Sequence, residues 1–244
     1  MATNKVVVAG SDVTASQLKD LFRQIDDRSI NGEIIQAVLD HRNPFPEVGV
    51  LKSGFVSDLA NTALQLTAWQ KFYRELFGIK LDTSKIVIPK RRAGFDRLIV
   101  VAKGLKLNQV FQKCGALFGT WSSIDDLDKS VTKNDREPTA SYAIWIRDRV
   151  EADQELKGRS ADDLAERKVS GITLLERMLW ELFYFKETGK HLDIKNVTLC
   201  SGSRHSDGLV PHAYWGPDDR KFYVDWTNRD YADDDLRSRE AVSV

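Results

Sequence analysis

Four side chains near the carboxyl end are of types that do chemistry: Cys200, His205, Asp207 and His212 lie close together in sequence. A thiolate nucleophile needs a neighbouring imidazole and a third group to orient it, and a zinc ion needs three or four converging ligands. The spacing here matches neither signature. Cys200 also ends the apolar run of residues 197–200, where a cysteine is ordinarily a small core residue. A hydrolase or metal-dependent enzyme using these four residues is therefore the alternative reading. The first reading is that the chain is not an enzyme and needs no cofactor.

The stretch around them carries a wider bias. Residues 201–235 hold eight Asp and no Glu, two of the four His and three of the six Tyr, with Lys221 as the only lysine. Solvated surface ordinarily mixes Glu with Asp and is rich in Lys. Tyr supplies contact area with few rotatable bonds, while Asp, Asn, Ser and His supply adaptable hydrogen bonding, the mix used by antibody paratopes. Turns also recruit Asp, Asn, Gly and Pro. That accounts for Gly216-Pro217-Asp218-Asp219 and part of Asp233, Asp234 and Asp235, but not for the His and Tyr or for the missing Glu.

Strand alternation sorts these residues by face. Phe222, Val224 and Trp226 fall inward while Tyr223, Asp225 and Thr227 fall outward. Upstream, Leu209, Pro211, Ala213 and Trp215 share one face, leaving His212 and Tyr214 on the other beside Val210. Loops at residues 202–208, 216–221 and 227–235 then present His205, Asp218, Asp219, Arg220, Asn228, Arg229, Asp230, Tyr231 and the acidic run 233–235. Loops on a rigid sheet are where recognition residues concentrate.

The elements that must position this region read as α+β. A short strand is expected at residues 5–9, followed by a helix capped by Thr14 and Gln17 with Leu18, Leu21, Phe22 and Ile25 on one face. Asn31 caps a second helix carrying Ile34, Ile35, Val38 and Leu39, which Asn43-Pro44 stops. A third is expected over residues 58–77, ended by Gly78. Residues 1–80 thus form a small helical region and residues 81–244 a second domain. Strands are expected at 85–88, 97–102, 142–146, 197–200, 209–215 and 222–226, with a last apolar patch at 241–244. Asn108 is expected to cap a helix over 109–118, and Ser160 a charged one ending near Lys168. The strongest helical period, residues 172–186, carries Ile172, Leu175, Leu179 and Leu182, widened by Leu174, Met178, Phe183 and Phe185, with Gly189 after its end.

Charge and composition exclude several classes. With 36 basic and 36 acidic residues the chain has no global field to gather nucleic acid or anionic lipid. The basic loop with Lys90, Arg91, Arg92 and Arg97 has only Phe95 as a nearby aromatic and reads as a solvated face. No segment has the length or apolarity of a signal-peptide core or a membrane span, so a cytoplasmic location is the default expectation. Two cysteines, Cys114 and Cys200, are too few for a disulfide framework or a thiolate zinc site. Ser201-Gly202-Ser203-Arg204 offers backbone amides to a phosphate but lacks a following helix. Asp233, Asp234 and Asp235 offer hard oxygens to calcium, although such a run is more often a solvated loop. His41 and His191 are expected at helix ends, against free carbonyls.

Three runs resemble a known pattern: Gly171-Ile172-Thr173-Leu174-Leu175-Glu176-Arg177, then Glu187-Thr188-Gly189-Lys190-His191-Leu192-Asp193, then Thr198-Leu199-Cys200-Ser201-Gly202-Ser203-Arg204. Together with the ending Leu236-Arg237-Ser238-Arg239-Glu240-Ala241-Val242, they resemble variable proteins of diversity-generating retroelements. The resemblance covers roughly residues 140–244. It implies a C-type lectin-like fold whose variable region, here about residues 201–235, is rewritten at adenines by an error-prone reverse transcriptase. It also implies a protein or cell-surface ligand. Adenine changes in asparagine codons yield Asp, His, Tyr, Ser, Gly or Arg, but not Trp, Lys, Glu, Gln or Met. By that alphabet the ligand-binding, variable positions are His205, His212, Tyr214, Asp218, Asp219, Tyr223, Asp225, Asn228, Asp230, Tyr231, Asp233 and Asp234. Trp215, Val224, Trp226, Leu236 and Arg237 are scaffold.

Overall fold

The computed structural model describes residues 53–244, with side chains from residue 61 onward. The strand expected at 5–9, the helices capped by Thr14 and Asn31, and His41 lie outside the described residues. Residues from Ala60 to Val244 form one compact unit, so the division expected at 80/81 falls inside it.

In chain order the elements are α1 (Ser53–Phe77), β1 (Arg97–Val101), α2 (Leu107–Leu117), β2 (Gly119–Ser122), α3 (Leu127–Ser130), β3 (Val131–Asn134) and β4 (Tyr142–Ile146). A 3-10 turn (Gln154–Leu156) precedes α4 (Ala161–Glu166), α5 (Leu174–Thr188), β5 (Val197–Leu199), β6 (Ser203–His205), β7 (Val210–Gly216), β8 (Lys221–Thr227) and β9 (Leu236–Ser238). The architecture is α+β. Its main sheet is mixed, in the order β2-β8-β7-β5-β9: β2 runs parallel to β8, β9 runs parallel to β5, and the inner pairs are antiparallel. Two antiparallel pairs, β1 with β4 and β3 with β6, complete it.

From Ala60 onward helix α1 belongs to this unit, where one of its faces covers the free edge of β1. Gln65, Trp69 and Tyr73 recur every four residues, and their side chains take up strand groups that would otherwise lack partners. The Trp69 indole donates to the Leu98 carbonyl at 2.8 Å, the Tyr73 hydroxyl donates to the Val100 carbonyl at 2.8 Å, and Gln65 accepts from the Leu98 amide at 2.7 Å. Trp69 also stacks on Phe183 of α5, with centroids 4.1 Å apart.

Helix α5 is the central element; it starts at Leu174 rather than the expected 172 and runs to Thr188 rather than 186. Thr173 and Glu176 form a capping box, and Gly189 takes the left-handed conformation at φ 68° that lets the chain leave the helix. Its apolar stripe packs into the main core as expected. Its charged stripe is buried as well. Arg177, Glu181 and the distant Asp193 and Arg239 are almost fully enclosed and pair with one another: Arg177 to Glu181 at 2.8 Å and to Asp193 at 2.9 Å, Arg239 to Asp193 at 2.7 Å. Two cations and two anions thus balance in a low-dielectric interior, where either sign alone would be costly.

Other expectations are corrected. Residues 85–88 form no strand: Ile86 is buried, but no neighbouring strand offers them a ladder. Helix α2 starts at Leu107 rather than after Asn108. Asn108 instead ties α2 to α3, donating to Asp126 at 2.8 Å and accepting from the Leu127 amide at 2.9 Å. Ser160 does cap α4, accepting from the Asp163 amide. His191 meets no free carbonyl. Its Nδ1 bonds Glu181 at 2.8 Å and its ring lies flat on Trp215.

Candidate ligand-binding face

The outer face of the main sheet is organised by register. Tyr214 of β7 stands opposite Tyr223 of β8, and Tyr223 opposite Trp121 of β2. One step along, His212 stands opposite Asp225. The rings form a row: Tyr214 and Tyr223 stack at 5.0 Å with planes 6° apart, Trp121 meets Tyr223 at 5.4 Å, and His212 lies near-parallel to Tyr214 at 6.4 Å. Trp121 is 40% exposed, so the row ends in open water. Its continuation on β5 and β9 is apolar, through Val197 and its register partner Leu236.

Alternation on β7 and β8 places side chains as expected. Ala213, Trp215, Phe222 and Val224 are buried, while Tyr214, Tyr223 and Asp225 are half-buried. Trp226 is only half-buried, packing against the core while His205 meets its edge at 5.0 Å. Val210, on the His212 side, is fully buried in a satellite cluster with Leu156, Leu164, Leu199 and Leu236. The outer face is therefore covered at its Val210 end and open at its Tyr223 end.

The polar groups are held by their neighbours. Asp219, in the turn between β7 and β8, accepts from the Tyr223 hydroxyl, which pushes the phenol up to about 12. Asp225 accepts from Ser123 at 2.7 Å. His212 sits low of the ordinary imidazole value because burial disfavours its charged form, and Asp225 opposes that only partly. Its Nδ1 is enclosed and has no hydrogen-bond partner among the described residues. In the segment after β8, Tyr231 donates to Asp233 at 3.2 Å, and Asp233 also accepts from the Asp235 amide at 3.0 Å. Asp234 pairs with Lys157 at 3.3 Å.

A depression of about 450 Å³ opens where this segment approaches β7. His212, Tyr214 and Tyr231 supply its rings, Asp233 and Asp235 its carboxylates, and Val197 and Leu236 its apolar lining. The structure thus brings together His212, Tyr214, Tyr223, Asp225 and Asp219 on one face, with Tyr231 and Asp233 beside them. Asp218 is exposed in the turn, and Asn228 and Asp230 are exposed in the loop that follows β8. His205 stands apart: it is on β6, bonded to Asp207 at 2.6 Å, against Trp226, which alternates to the other side of β8 from Tyr223 and Asp225. Trp121, Val197, Thr227 and Asp235 belong to the face or its depression but were not among the expected contact residues. Trp121 lies far upstream of the compositional bias, and only the pairing of β2 with β8 reveals it.

The chemical alternative is not assembled. Cys200 is fully buried in the main core, its thiol pushed up by burial and its sulfur 3.8 Å from the Thr198 carbonyl. His212 pairs with Leu199, the residue before Cys200, and so projects to the opposite face. Among the described residues no group of three or more His, Cys, Asp or Glu is placed to hold a metal ion. The Ser201 to Arg204 stretch is no phosphate cradle, because its amides are used within the fold: Gly202 donates to the Ile172 carbonyl at 3.0 Å and Ser203 to the Cys200 carbonyl at 2.9 Å. In the basic loop, Arg92 pairs with Glu240 at 2.5 Å and Arg97 with Asp148 at 3.0 Å and Glu187 at 3.1 Å. No described helix is long and apolar enough to cross a membrane.

The chain matches no family model, no curated protein and no solved structure.

Proposed function

We propose that this chain is a non-catalytic ligand-display protein of the diversity-generating retroelement kind, its residues 201–235 forming a diversified contact surface on a C-type lectin-like domain. One observation carries the reading. The twelve positions proposed as variable are all exposed or half-exposed, whereas of the five assigned to the scaffold Trp215, Val224 and Leu236 are buried and Trp226 and Arg237 are half-buried. Display requires this sidedness, since a position that can become Asp, Tyr, Ser or Arg without unfolding the domain cannot face the core. The ring row and its flanking carboxylates supply the contact chemistry, rigid aromatic anchors with polar groups around them. The partner in this reading is a protein or a cell surface.

The test is genetic. Sequencing the DNA around the gene is expected to find a reverse-transcriptase gene and a near-copy of the 3′ coding end that differs chiefly at adenines. A locus with neither overturns the reading.

A further inference from the structure

Resting on that reading of the face, we propose that the depression between β7 and residues 231–236 receives an arginine side chain from the protein partner. Its lining suits that group at each point along its length. Val197 and Leu236 offer apolar surface for the methylene stem, and the Tyr214 and Tyr231 side chains line the same opening. The Tyr214 ring is already oriented by its stack on Tyr223. Asp233 and Asp235 bring negative charge to the same opening. The Asp235 carboxylate has no ion pair or hydrogen bond among the described residues, so it is available to a guest.

Charge makes this depression unlike its neighbours. Four other depressions on the described surface each include a resident cation, namely Arg136 in two of them, Lys71 in a third and Arg149 in the fourth. This one is lined by two carboxylates and by no lysine or arginine. A guest cation therefore meets no like charge in the lining, and Lys157 is already paired with Asp234. Arginine is preferred to lysine because a guanidinium stacks on rings and forks to two carboxylate oxygens, whereas an ammonium is a strongly hydrated point charge. The size, about 450 Å³, lies in the range of small-ligand sites and leaves room for the residues flanking the arginine.

The full-length protein would be titrated with acetylated, amidated Gly-Arg-Gly, Gly-Lys-Gly and Gly-citrulline-Gly, with binding read by saturation-transfer NMR. Citrulline keeps the shape of arginine and removes its charge. The arginine peptide is expected to bind about tenfold more tightly than the citrulline peptide, with lysine between them. The double variant Asp233→Asn, Asp235→Asn is expected to abolish that difference while its melting temperature stays that of the parent. Equal affinity for arginine and citrulline overturns the proposal, as does no binding of the arginine peptide up to about 10 mM. Spermidine displacing the arginine peptide at lower concentration also overturns it, since the guest would then be a free polyamine. A template repeat with no arginine preference would leave the display reading standing and remove only this one. Arginine preference without a template repeat would do the reverse.

Discussion

Adding one methyl group to this protein is expected to do more damage than removing a whole aromatic ring from its outer face. The methyl is that of Gly202→Ala. A Cβ there would lie 2.6 Å from the Gly171 carbonyl oxygen and 3.1 Å from that of Ile172. Both are backbone atoms that cannot rotate away, and Gly202 is itself tied to Ile172 by its amide. Overpacking of this kind costs about 1–3 kcal/mol, and rigid neighbours put it at the upper end. The ring is that of Tyr214, half-buried, whose stack on Tyr223 is worth about 0.5–1.5 kcal/mol beyond its buried area. Tyr214→Ser is therefore expected to cost about 1–2 kcal/mol, a drop of roughly 2–8 °C for a domain of this size. Tyr231, 47% exposed and bonded only to Asp233, is expected to tolerate Ser with no resolvable change. Thermal and urea unfolding of the full chain, followed by circular dichroism, would rank the three variants. The reasoning fails if Tyr214→Ser or Tyr231→Ser prevents folding. It fails equally if Gly202→Ala is as stable as the parent.

Cys114 and Cys200 are both fully buried with thiols raised by burial, so a thiol-reactive dye is expected to label neither in the native protein and both in denaturant. Rapid native labelling of Cys200 would revive a nucleophile at that position. His212 should make stability depend on pH near neutrality. Its folded value lies below the ordinary 6.5, so the unfolded chain takes the proton first as pH falls. The stability it contributes is full above 6.5 and is lost as pH drops through the lowered folded value. The unfolding midpoint of the parent is therefore expected to fall as pH drops below 6.5, with a flatter profile in His212→Asn. Parallel profiles would show that His212 carries none of the dependence.

What the sequence disclosed follows from the range of the forces involved. Strand β4 and helix α5 were legible because their apolar periods are local, and the end signals Ser160 and Gly189 act within a few residues, whereas Thr173, expected inside the helix, is its cap. Strands β2, β3, β6 and β9, of three or four residues each, were not. Such short pieces become strands only when a distant edge pairs with them, as β8 does with β2 across a hundred intervening positions. The reverse error occurred at residues 85–88, where Ile86, Val87 and Ile88 have strand propensity but no edge to join, leaving Val87 67% exposed. The outer face was legible in part because alternation is a local rule. Trp121 escaped because its membership depends on that same long-range pairing.

The charged stripe of α5 was legible as residues but not as burial, and it bears on how a variable surface could be tolerated. Asp193 accepts from Arg177 on one side and Arg239 on the other, and its Oδ2 also takes the Thr198 hydroxyl. Arg239 reaches the Arg149 and Val150 carbonyls as well. These bonds fix the paths of β5 and of the chain just after β9, on either side of residues 201–235. A side chain at Gly202 would clash with the Gly171 carbonyl, and one at Gly171 with the Ser201 side chain, which fixes the entry to β6. Buried ion pairs contribute little net stability compared with apolar packing, but they fail sharply when one partner is lost, so they hold one arrangement against near alternatives. None of these ties uses a side chain of the outer row. On the display reading proposed above, a framework locked by Arg177, Asp193, Arg239 and two glycines would leave His212, Tyr214, Tyr223 and Tyr231 free to be chosen for what they touch outside the molecule.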